Sequence, residues 1–141
     1  GIAMLVTAGT AYGLHALAVG PDGQFLGGAL APGVEVSLDA LASRAAQLRS
    51  VELTAPPHAI GKNTVAALQS GLVLGFAGLV DGLVGRIAAE LVAQFGTPPV
   101  VVATGGLAPL IADNCRTISE REPDLTVHGL RLAFERHQAR P

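Results

Sequence analysis

The chain has 141 residues, half of them hydrophobic and 14% charged, with a formal net charge of −2. That size and apolar content fit one domain with a real core. The single lysine, Lys62, and the scattered arginines exclude the clustered basic surface that a nucleic-acid partner needs. Cys115 is the only cysteine, so no internal disulfide forms and a reducing cytoplasm is the expected setting. It reads as a small buried or half-buried residue and not as a nucleophile.

Residues 2–7 are an apolar run that predicts a buried strand; with no basic residue before them, they do not read as a signal peptide. Gly9-Thr10-Ala11 breaks that run. Residues 13–19 alternate loosely and predict a second strand. Pro21-Asp22-Gly23 is a turn, with Pro fixing one torsion and Gly supplying a positive one. Residues 24–30 predict a third strand, so the chain opens with an antiparallel meander. Ala31-Pro32-Gly33 closes the meander, and Ser37 is placed to cap a helix over 38–49.

A loop over 50–61 contains Pro56-Pro57. From Asn63 or Thr64 a long helix runs to about Phe95 and stops at Gly96-Thr97-Pro98-Pro99. The uncharged stretch Thr64–Val80 falls short of the roughly 20 apolar residues of a membrane span. Residues 100–104 predict a strand buried on both faces. A short helix over 107–113, a polar loop over 114–124, a short strand at 125–128 and a helix over 129–138 complete the chain. Leu130, Leu132 and Phe134 are expected to pack that last helix. The order predicts an α/β fold, a single ribonuclease H-like half-domain over residues 1–141.

Within the long helix, Gly71, Gly75, Gly78, Gly82 and Gly85 are spaced as a heptad seam. Each costs about 0.5–1 kcal/mol relative to Ala, so the seam calls for a close helix neighbour. Two readings stay open: a helix of the same domain, or a second subunit. Asp81, between the glycines, is expected to face solvent and not to pair with Arg86.

Three segments carry candidate chemistry. Gly9-Thr10-Ala11 exposes backbone N–H groups that suit phosphate oxygens, although a tight turn alone explains the motif. Gly105-Gly106 sits between a buried strand and a helix, where anions bind or ordinary packing occurs. Gly61-Lys62-Asn63-Thr64 opens the long helix; Asn63 or Thr64 caps it, and Lys62 alone reads as solvated. The histidines show no metal-ligand spacing, and no catalytic or metal-binding residue is assigned.

The ordered segments TAGTAYGLH (7–15), GGALAPG (27–33), DAL (39–41), IGKNT (60–64), GFAGLVDGLVGRI (75–87), VVVATGG (100–106) and LTVHGLRLAFERH (125–137) resemble the C-terminal half of a type III pantothenate kinase. The resemblance implies ATP-dependent phosphorylation of pantothenate in coenzyme A biosynthesis. It also implies a divalent ion such as Mg, a monovalent cation and a cytoplasmic homodimer. By resemblance, Gly9, Thr10 and Ala11 belong to a phosphate hairpin, Gly105 and Gly106 to the nucleotide side, Thr64 to the pantothenate site, and the Gly71–Gly85 helix to the dimer contact.

The departures are as informative. Thr7 and His15 stand where the family hairpin has acids, and Tyr12 with Gly13 replaces its second Thr. The G-x-D-R motif of the N-terminal half, with its general base, does not occur in this sequence. The expectation is a half that is inactive alone. The alternatives are a non-catalytic binding or assembly domain, and a self-sufficient dimer of this half.

Overall fold

The computed structural model describes residues 1–9, 13–44 and 51–139. Thr10, Ala11, Tyr12 and the predicted helix end at 45–49 lie outside the described residues. Five strands form one mixed sheet in the order β3-β2-β1-β4-β5. β1 (Ala3–Ala8), β2 (Gly13–Val19) and β3 (Phe25–Pro32) make the antiparallel meander. β4 (Val100–Thr104) lies parallel to β1, and β5 (Glu120–Arg121) parallel to β4. The first three strands and β4 form where the sequence reading puts them, and the arrangement is that of a ribonuclease H-like half-domain; β4 is not buried on both faces, since Val100 is exposed and Val102 half-buried at its outer face.

Local chemistry explains the elements. Gly20 N–H donates to Gln24 O, Gly23 N–H donates to Gly20 O, and Gly23 takes φ +77°. A parallel neighbour for β1 needs a long crossover, and the chain between β3 and β4 supplies it with helices. α1 (Val34–Arg44) begins four residues earlier than predicted. Ser37 is therefore not its cap. It sits inside the first turn, where both its N–H and Oγ donate to Gly33 O.

The long helix begins as α2 (Thr64–Gln69), passes through one π turn (Ser70–Leu74) and continues as α3 (Gly75–Phe95). Asn63 is the cap, its Oδ1 accepting from Ala66 N–H at 2.8 Å. Gly96 ends the helix at φ +76°. Ala77, Val80, Val84 and Leu91 form the buried face of α3 and join Met4, Val6, Val101 and Ala103 in the core. Met4, Val73, Val80 and Val84 are the largest fully buried side chains, each contributing about 1.5–3 kcal/mol of apolar burial.

Thr64–Phe95 is, against expectation, long and apolar enough to cross a membrane by length and composition. Its Ala77–Val80–Val84 face is occupied by the sheet's core. The opposite face carries the glycines. All five are exposed, and a Cβ added at any of them meets nothing within 4 Å. A helix neighbour within the described residues is thereby excluded.

α4 (Ala108–Ala112) is a single short turn. The strand expected at 125–128 is not formed. β5 lies at Glu120–Arg121, inside the segment read as loop, and α5 runs from Leu125 to Gln138. Glu120 and Arg121 carry no apolar alternation because both are exposed at the sheet edge. Leu130, Leu132 and Phe134 do not pack; they are 67%, 49% and 61% exposed.

Candidate functional site

Parallel pairing brings the carboxyl ends of β1 and β4 side by side, with Thr7 opposite Thr104. Such a place, where connections leave in different directions, is where open α/β sheets bind ligands. Gly9 follows β1 and Gly105 follows β4, so two separate glycine motifs meet here. Gly105 has φ +103°, and a Cβ on it would lie 2.5 Å from Ala8 O and 3.0 Å from Gly9 N. Ala8 O also accepts from Leu107 N–H at 3.1 Å. Among the described residues, nothing lies within 4 Å of a Cβ built on Gly9. Gly106 is exposed beside it.

Across the hairpin, Thr7 faces His15 as a register pair, both half-buried. These are the two positions where the resembled hairpin has acids. The His15 ring lies against Gly13, with Nε2 2.9 Å from where a Gly13 Cβ would stand. On the other side of the Gly105 turn, a pocket of about 140 Å³ is lined by Thr104, Gly105, Pro109, Arg121 and Pro123, among others. Arg121 pairs with Asp113 at the surface. The sequence did not single out Arg121, since its placement depends on the short β5.

Thr64 lines a different feature, an open groove of about 730 Å³ shared with Leu41, Lys62, Asn63, Leu68 and Leu72. The preceding segment is strapped to the helix. Gln69 Nε2 donates to Glu52 O at 2.9 Å and to Thr54 Oγ1 at 3.1 Å. Ser70, buried at the π turn, donates from Oγ to Ala59 O at 2.6 Å. Gly61 lies so close to the helix that a Cβ would stand 2.2 Å from Ala67 N. Ser70→Ala leaves Ala59 O without that donor and should cost about 1–2 kcal/mol. Faster amide exchange over 52–64 is the expected reading, and unchanged exchange would contradict the strap.

Asp81 does not face solvent freely. Its carboxylate accepts from Arg116 N–H at 2.9 and 3.0 Å, Thr117 N–H at 3.0 Å and Thr117 Oγ1 at 2.7 Å. Burial alone would raise its pKa. The Thr117 hydroxyl, the two amides and the Arg116 charge outweigh that and hold it below the usual carboxylate range. Asp81 thus ties α3 to the loop between α4 and β5. Cys115, beside this anchor, has its thiol pushed up to about 11 by burial and then by the Asp81 charge. Its Sγ donates weakly to Ile111 O at 3.3 Å, in keeping with an inert thiol.

A family model described as type III pantothenate kinase matches residues 2–86, more than half of the chain. The type III pantothenate kinase of Saccharopolyspora erythraea is 58% identical over 134 residues, 95% of this chain and 50% of the relative. That of Parafrankia sp. is 57% identical over 137 residues, 97% of this chain and 52% of the relative. The chain therefore spans about half the length of the curated relatives it matches. A solved structure described as a conserved Baf family transcriptional activator from Campylobacter jejuni superposes with a TM-score of 0.65 at 16% identity. It covers 96% of this chain and 58% of that one, a likeness of fold. On the family match and these identities, the chain belongs to the type III pantothenate kinase family.

Proposed function

We propose that this chain is the nucleotide-binding and dimerising half of a pantothenate kinase, and that it does not phosphorylate pantothenate alone. The observation that carries the reading is the seating of the Gly105 turn against Ala8 and Gly9, with no described residue over Gly9. Backbone N–H groups at two such turns suit the phosphates of ATP. Thr10 and Ala11 complete the hairpin in this reading, and Gly105 and Gly106 form its other wall. Thr64, in the groove beside Lys62, is the candidate pantothenate contact. The location proposed is the cytoplasm.

Phosphoryl transfer is mostly positioning and charge compensation. The residues at this end of the sheet do not fit a hard divalent cation, which takes carboxylate and other oxygen donors. Thr7 and His15 stand where the family hairpin has acids, and no group of three or more His, Cys, Asp or Glu gathers among the described residues. Neither Mg nor a monovalent cation is assigned to this half. The general base likewise belongs to the half that the relatives carry beyond the matched region. Titration calorimetry with ATP tests the reading: weak binding is expected, removed by Gly105→Ala. No heat up to millimolar ATP would favour the second reading, a non-catalytic assembly domain, to which the Thr7–His15 pair points.

The dimer contact is proposed at the bare glycine face of α3. In a free monomer, filling that face with a side chain restores about 1 kcal/mol of helix propensity per site. In a dimer it blocks close approach. Gly78→Leu is expected to move the chain from dimer to monomer or aggregate in size-exclusion chromatography, and an unchanged dimer would show that the face is not the contact.

A further inference from the structure

β5 is two residues long, and both Glu120 and Arg121 are exposed. The register of a strand is ordinarily fixed by burial of one face, and β5 has no buried face to fix it. Yet its register decides what the neighbouring pocket presents. Arg121 lines the pocket of about 140 Å³ beside Gly105, next to Pro123, and is the only charged residue among the described ones that do so. Successive residues of a strand point to opposite faces. A slip of one residue would therefore turn Arg121 away and bring Glu120 or Glu122 round in its place. The pocket would then present a carboxylate where it now presents a guanidinium.

The held segment lies just upstream. The Asp81 carboxylate accepts from the N–H groups of Arg116 and Thr117 and from the Thr117 hydroxyl, three donors within two consecutive residues. Ile118 then packs against the core. Ser119 is the first residue to meet β4, its N–H donating to Val101 O at 2.9 Å and its Oγ accepting from Val101 N–H at 3.3 Å. Beyond β5, Glu122 N–H donates to Ala103 O at 2.9 Å. α3 is itself held to the sheet by Val80 and Val84 in the core. We infer that Asp81 is a positioning residue for the nucleotide side: it fixes residues 116–123 in the register that keeps Arg121, and not a glutamate, at the wall beside Gly105. The inference rests on the reading that the Gly105 turn takes the phosphates of a nucleotide. A cation there favours a polyanion such as ATP, and a carboxylate opposes it.

Asp81→Asn tests this, because it keeps the shape of the side chain while replacing one acceptor oxygen with an NH2 donor. Thr117→Val, which removes only the hydroxyl donor, is the milder second variant. Val84→Ala, a core truncation on the same helix, controls for a general loss of stability. Amide exchange is compared in the purified chains. In Asp81→Asn the Ser119 and Glu122 amides are expected to exchange about tenfold faster or more, with the β1–β2 ladder changing much less. Thr117→Val should show the same pattern at smaller amplitude, and Val84→Ala should loosen strip and ladder together. A strip that stays protected in Asp81→Asn, or that loosens only in step with the ladder, overturns the inference. Titration with ATP is the second readout. Asp81→Asn is expected to weaken binding by about fivefold or more, and Arg121→Glu, which puts the slipped charge at the pocket directly, at least as much. Affinity equal to the parent's in either variant also overturns the inference. A parent that takes up no ATP rejects the functional reading instead, and the exchange comparison still decides what holds the strip.

Discussion

Gly105→Ala is expected to lower stability by about 3 kcal/mol and to abolish ATP binding. Two costs add. A side chain at φ +103° is strained by about 1–3 kcal/mol, and the new Cβ would stand 2.5 Å from Ala8 O. That oxygen is backbone in the central strand and already accepts from Leu107, so it has no free direction in which to yield. Relief requires the β1 and β4 ends to part, which costs a further 1–3 kcal/mol or so by overpacking. For a chain of this size the melting temperature should fall by roughly 10 °C. Gly9→Ala is the matched control: its Cβ meets nothing, so stability should change little. A Gly105→Ala protein melting with the parent would show that the two turns are not seated as described.

Asp81→Ala is the second large effect. It removes the acceptor for three donors on Arg116 and Thr117 at once. Hydrogen bonds to a charged group contribute about 1.5–3 kcal/mol each at most, and partial solvation discounts that here. A loss of about 2 kcal/mol is expected in chemical denaturation. The pH dependence has a fixed sign. The folded pKa is depressed, so the stabilisation is present above the unfolded value, near 4, and is lost as pH falls through the folded value. The parent should therefore lose stability in acid more steeply than Asp81→Ala. Parallel pH profiles for the two proteins would contradict the anchor.

Hydrophobic patterning and turn chemistry made the sheet and the long helix legible. The apolar run of β1, the loose alternation of β2, Pro21 to Gly23, and the apolar run of β4 each encode local structure. What failed was set by tertiary context. Ser37 has the chemistry of a cap, yet the helix already starts at Val34 and the Ser37 hydroxyl donates back to Gly33 O. β5 has no apolar pattern, because its two exposed residues are placed by pairing with Val102 and Ala103. Asp81 looked solvated because its donors lie 35 and 36 residues away, where no spacing rule reaches. Leu130 and Phe134 read as packing residues from their type and spacing; within this half, the surface they would need is absent among the described residues.

The candidate site was legible as separate motifs and not as a site. Gly9 and Gly105 are distant in sequence, and only the parallel register of β1 and β4 brings them together. The Thr7–His15 pairing likewise emerges from the hairpin register. The two positions where the resembled hairpin has acids thus face each other, and neither carries one.

The most direct test is ATP-dependent formation of phosphopantothenate by the purified chain and by the chain joined to the unmatched half of the Saccharopolyspora erythraea relative with Thr7→Asp and His15→Asp installed. The account predicts no product above background from the chain alone and turnover from the joined protein with its acids restored. Turnover by the chain alone would contradict it.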